Sequence, residues 1–76
     1  MFFNKYLNEK EEEVFKTIER LFFRTNKWFI PVSLVYKSLP EWYLTRKEFE
    51  KIIKSLKRKK MIKFLEINKK SNVSIF

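Results

Sequence analysis

Apolar positions recur at helical spacing in three stretches of the chain and roughly alternate with polar ones in a fourth. In the first stretch Val14, Ile18, Leu21, Phe22 and Thr25 fall at i, i+4, i+7, i+8 and i+11, which predicts an amphipathic helix reaching about Arg24. Asn8, with Glu11 three positions on, is an N-cap signature. Glu9, Glu11, Glu12 and Glu13 crowd the positive end of that helix, where carboxylates are favoured. Asn26 and Lys27 read as its stop. Phe15 and Phe23 lie off the stripe, and either widen the buried face or mark a contact with a second copy.

Trp28-Phe29-Ile30 is a short aromatic and β-branched run closed by Pro31, which suits one short strand. Pro31 is also acceptable at the first position of a helix. Val32, Val35, Tyr36 and Leu39 then repeat at i, i+3, i+4 and i+7, a second helix ending before Pro40. Pro40 to Tyr43 connects it to the next element.

That element is the stretch Leu44–Ile62, LTRKEFEKIIKSLKRKKMI. Thr45 and Glu48 have the spacing of a capping box, and Leu44 and Phe49 that of a hydrophobic staple. Phe49, Ile52, Ile53 and Leu56 share one helical face, which predicts core. At about 100° per residue, Lys47, Lys51, Lys54 and Arg58 gather on the other. One side is built for burial and the other is a ladder of cations.

After Ile62 the period drops towards two through Lys63-Phe64-Leu65-Glu66-Ile67. Asn68–Asn72 is expected to be a turn without glycine, its asparagines the best suited to positive φ. Val73–Phe76 is expected to be the returning strand of a hairpin with a basic tip. The fold class is therefore mainly α with a small β-hairpin, an α+β domain. Three segments are expected within one unit: an apolar arm over 1–7, a helical core over 8–62 and a hairpin over 63–76.

Length and composition allow a core and narrow the chemistry. With 76 residues, 45% hydrophobic and 18% aromatic, the chain is one small domain. It contains no Cys, no His and no Asp. Disulfides, thiolate zinc sites and the commonest general base are thereby absent, and an enzyme, a metal site and a cofactor are not expected. Glu9 and Glu13 fit a solvated helix face better than a catalytic pair. No apolar run approaches the length of about eighteen residues that a membrane span needs, and no secretory signal is evident. A soluble, cytoplasmic protein is expected, with no membrane partner and no small-molecule ligand.

Charge sharpens the picture because it is unevenly placed. Residues 1–43 carry seven basic and six acidic side chains, whereas residues 44–76 carry eleven and three, out of a net +9. A localised positive surface is the footprint of a polyanion binder. A Lys-rich surface kept for solubility is the plainer explanation of the same numbers.

The order helix, short strand, helix, turn, basic helix, hairpin resembles the winged helix-turn-helix DNA-binding family over about Asn8 to Phe76. The most specific part is LTRKEFEKIIKSLKRKKMIKFLEI, which resembles that family's recognition helix and its Leu-x-x-x-Gly-hydrophobic-Ile-type exit. Leu56, Met61 and Ile62 match that exit, and Lys60 stands where the family often has Gly. A left-handed Lys60 would cost about 1 kcal/mol relative to Gly, which favours another exit geometry. Small members of this kind occur in archaea and in their viruses and plasmids, a source that the Lys-, Phe- and Ile-rich composition suits.

The resemblance implies that the helix of residues 45–60 enters the major groove of double-stranded DNA, as a transcriptional regulator does. The cationic face leads to the same residues, because a helix fits that groove with its outward cations at the phosphate rims. Arg46, Lys47 and Glu50 stand at the end that meets base edges, Arg46 being the candidate for a bidentate contact to guanine. Glu50 is expected to pair with Lys47 or Lys54, with acceptance from cytosine as the other use. Lys51, Lys54, Lys57 and Arg58 are candidate phosphate contacts. Lys69 and Lys70 at the wing tip and Lys37 and Ser38 at the end of the second helix are candidate backbone contacts. Phe2, Phe3, Tyr6, Phe23 and Trp28 are surplus aromatics suited to a homodimer interface. The competing expectation is a protein-interaction module that binds an acidic partner and has no DNA affinity.

Overall fold

The computed structural model describes residues 7–75. Helix α1 is Glu9–Thr25, followed by the two-residue strand β1, Ile30–Pro31, and the short helix α2, Val32–Lys37. Helix α3 is Arg46–Arg58, and strands β2, Lys63–Ile67, and β3, Lys70–Ser74, complete the domain. Three helices thus precede a C-terminal β-hairpin in an α+β domain whose topology is compatible with a winged helix. No helix among the described residues is long and apolar enough to cross a membrane.

Both long helices begin as their sequences dictate. The Asn8 side chain accepts from the Glu11 amide at 2.8 Å while the Glu11 carboxylate accepts from the Asn8 amide at 3.0 Å. Thr45 and Glu48 make the same reciprocal pair at 3.1 and 3.0 Å. Each box satisfies two of the amides that a helix start leaves without partners. Asn26 ends α1 in the left-handed conformation, φ 58°, its amide donating to the Phe22 carbonyl.

The exit of α3 corrects one expectation. Lys60 does adopt the left-handed conformation, with φ 62°. Its amide donates to the Lys57 carbonyl at 3.0 Å, and the Met61 amide to the Leu56 carbonyl at 2.9 Å. These two bonds make a Schellman motif. Two satisfied carbonyls, with buried Leu56 and half-buried Met61 beside them, outweigh a penalty of about 1 kcal/mol. Lys60→Gly should therefore stabilise the domain by about 1 kcal/mol, or about 4 °C in Tm, read in a thermal melt. An unchanged or lower Tm would contradict the strain at this position.

The core lies where the three helices meet the sheet. Val14, Ile18, Val35, Phe49, Leu56, Ile30 and Val73 are sealed from solvent, with Leu21, Leu39, Leu44, Ile52, Ile53 and Ile62 around them. Phe15 packs against this cluster from a half-buried position, so it widens the buried face.

The sheet has the order β1-β3-β2, both pairings antiparallel. Ile30 lies opposite Val73, and Pro31 opposite Asn72. The first strand thus starts later than the Trp28-Phe29-Ile30 run suggested and includes Pro31, which an edge strand tolerates because one side needs no amide donor.

The hairpin is tighter than expected. Ile67 pairs with Lys70, leaving only Asn68 and Lys69 in the turn, with φ 51° and 65°. Two positive φ values in a two-residue loop are the signature of a type I′ turn, whose twist matches that of its strands. Asn68 takes positive φ as expected, but Asn72 does not. Lys70, Ser71 and Asn72 belong to the returning strand, which ends at Ser74.

A buried polar cluster ties α1 to the far end of α3. Glu11, 6% exposed, accepts from the Ser55 hydroxyl and from the Lys59 ammonium at 2.9 Å. Burial pushes its carboxyl up, but the hydrogen bonds from Ser55, Lys59 and the Asn8 amide, with the Lys59 charge, hold it below its ordinary 4.5. A depressed carboxyl contributes stability that is fully present above its unfolded value and is lost as pH falls through the folded one. Urea melts should show that contribution at pH 7 and its loss below about pH 4.5. In Glu11→Gln that acid-dependent part should be missing. Parallel pH profiles for the two proteins would refute it.

Candidate nucleic-acid interface

The capping box at Thr45 fixes where α3 begins, and the buried row Phe49, Ile52, Ile53 and Leu56 fixes how it is rotated. Everything on the other side is exposed: Arg46, Lys47, Glu50, Lys51, Lys54, Lys57 and Arg58. The helix therefore presents six cations and one carboxylate from the expected set, anchored on a row that cannot turn without emptying the core.

The exposed side has two flanks. On one, Arg46, Glu50 and Lys54 face a cleft of about 480 Å³ that Ser33 of α2 and Phe64, Lys70 and Ser71 of the hairpin also line. Its lining mixes apolar Val32, Ile53 and Phe64 with the cations Arg46, Lys54 and Lys70 and the Glu50 carboxylate. On the other flank Lys51 joins Glu48, Glu9 and Lys10 around a shallower groove towards the start of α1. There Lys10 lies 3.9 Å from Glu48. The Thr45 amide and the Lys10 charge hold the Glu48 carboxyl below its ordinary value. Lys51 and Lys10 thus face two carboxylates, Glu9 and Glu48, whereas Lys54, Arg46 and Lys70 share their flank with one, Glu50.

Comparison with protein-family models, curated proteins and solved structures returns no match. The winged-helix resemblance accordingly stands on this chain's own residues and topology.

Pairing among the site residues differs from expectation in one respect. Glu50 lies 3.6 Å from Arg46, not against Lys47 or Lys54. Arg46 stands one turn before Glu50, at i,i+4 spacing, and its guanidinium also lies over the Tyr36 ring at 5.2 Å. Lys57 leans over the Phe64 ring at 5.1 Å, which fastens the end of α3 to the hairpin.

Lys69 occupies the turn and is exposed, while Lys70 is the first residue of β3. Lys37 and Ser38 line neither cleft, and the Ser38 hydroxyl donates to the Leu34 carbonyl at 2.9 Å. Ser33 and Ser71, which periodicity did not mark, are the hydroxyls that the fold places beside the cations.

The candidate dimer residues divide. Phe2, Phe3 and Tyr6 lie outside the described residues. Phe23 and Trp28 are 65% and 67% exposed, and both stand edge-on to Phe22, with centroids 5.4 and 6.3 Å away. Trp42, 80% exposed in the turn before α3, is a third large exposed ring that sequence reasoning passed over.

Proposed function

We propose that this domain binds double-stranded DNA, with α3 in the major groove and the Asn68–Lys69 turn on the adjacent backbone, and acts as a transcriptional regulator. The observation that carries this reading is the joining of α3 and the hairpin into one cleft, lined by the cations Arg46, Lys54 and Lys70 against a single carboxylate, Glu50. A helix of this diameter fits the major groove, and flanking lysines meet phosphates without reading sequence. One helix and one turn give a small footprint, so useful affinity calls for two copies on two half-sites. The exposed Phe23 and Trp28 suit that second copy.

Selection of bound sequences from a random duplex library tests binding, preference and half-site symmetry together. A recovered motif with two related halves is the expected result. Failure to retain any duplex at low salt would end the DNA reading. The exposed rings Phe23, Trp28 and Trp42 support a second reading, a protein-interaction module, in which the partner's acidic residues meet the same cations.

A further inference from the structure

Arg46 and Glu50 stand one turn apart at the start of α3, and they are already paired. Arg46 Nε is 3.6 Å from Glu50 Oε2, an ion-pair distance longer than a hydrogen bond, with 60% and 58% of the two side chains exposed. Below the guanidinium lies the Tyr36 ring, 5.2 Å away. Tyr36 is itself held: its ring lies 5.0 Å from that of Phe49, and its hydroxyl donates to the Leu44 carbonyl at 3.4 Å. The Tyr36 ring thus covers one face of the Arg46 guanidinium, and the Glu50 carboxylate lies beside Nε. The edge carrying its two terminal amino groups lies opposite Nε and is the part left to meet a ligand.

We propose that Arg46 and Glu50 act as one composite reader of a single G·C base pair, with Tyr36 as the positioning residue. This rests on the DNA reading above. Guanine shows two acceptors in the major groove, N7 and O6, and its partner cytosine shows one amino donor. The terminal edge of Arg46 can donate to both acceptors, and the Glu50 carboxylate, which only accepts, can take the amino hydrogen.

The same two side chains reject the alternatives. With the pair inverted, Glu50 faces two guanine acceptors and Arg46 faces an amino donor. With T·A, Arg46 finds one acceptor and a methyl group in place of two acceptors. With A·T, adenine gives Arg46 one acceptor and one donor, while thymine turns an acceptor towards Glu50. Repulsion at Glu50 thus supplies discrimination that attraction at Arg46 alone would lack. Opening the existing ion pair carries little penalty, because both side chains are more than half exposed and water replaces the lost partner.

The test uses four duplexes built on the motif recovered by the wild-type selection, identical except at the base pair assigned to Arg46. Fluorescence anisotropy then ranks them for wild type, Glu50→Ala, Tyr36→Phe, Tyr36→Leu and Arg46→Lys. Wild type should prefer G·C over each of the others by about tenfold or more. Glu50→Ala should bind all four more tightly but lose most of that preference. Tyr36→Phe should retain the preference, because the ring stays under Arg46. Tyr36→Leu should lose it with an unchanged salt dependence, and Arg46→Lys, a surface change, should lose it without disturbing the fold. If Glu50→Ala strengthens all four equally, or if wild type shows no G·C preference, the composite reader is refuted while DNA binding stands. If wild type retains no duplex, the DNA reading itself has failed.

Discussion

Raising monovalent salt from about 50 to 200 mM should weaken duplex binding by about a thousandfold. The exposed cations of α3 and the hairpin turn include Lys47, Lys51, Lys54, Lys57, Arg58 and Lys69. Each one that neutralises a phosphate releases condensed counterions, so about six contacts give a slope near −5 in log K against log salt. Anisotropy titrations across that range measure it. Lys54→Ala should weaken every sequence alike and reduce the slope by about 1, the mark of a phosphate contact. Lys51→Ala should do less than Lys54→Ala, since Lys51 shares its groove with Glu9 and Glu48. A slope near zero would mean that the cationic surface is not what holds the ligand.

Phe49→Ala should remove most of the domain's stability at 25 °C. Phe49 is fully buried at the fourth position of α3, against the Tyr36 ring and within the main core cluster. Replacing a buried Phe by Ala typically costs 3–5 kcal/mol, roughly the lost transfer energy plus the cavity left behind. Total stability is about 5–15 kcal/mol for native proteins, and small domains sit near the lower end. Circular dichroism should show loss of the cooperative transition or a large fall in its midpoint. Exposed Lys54→Ala should move stability by no more than about 0.5 kcal/mol. If Phe49→Ala melts like wild type, α3 is not anchored as described.

The helices were legible because their signals are local. Asn8 with Glu11 and Thr45 with Glu48 each place a cap within one turn, and the buried rows repeat at helical spacing. The hairpin was less legible, because two lysines in the left-handed conformation carry no local signature. Lys60 is carried by two hydrogen bonds of the helix end, and Lys69 by the register of the strands around it. Sequence reading paired Glu50 with Lys47 or Lys54, whereas its partner is Arg46, one turn back, whose guanidinium lies over the Tyr36 ring brought in from α2. Likewise, the Glu11 cluster joins α1 to Ser55 and Lys59 near the end of α3, far along the chain. The cleft is assembled from β1, α2, α3 and both strands of the hairpin, so no single stretch of sequence announces it.

The strand order β1-β3-β2 has a consequence for how this hairpin can change. Its last strand is the middle of the sheet, holding β1 through Ile30 opposite Val73 and β2 along its other side. Its turn, by contrast, is made of two exposed residues, Asn68 and Lys69. The hairpin is thus half foundation and half fingertip. Residues inserted between Asn68 and Lys69 would lengthen the reach of the domain at little expense to folding. A single charge at Val73 would undo the whole assembly.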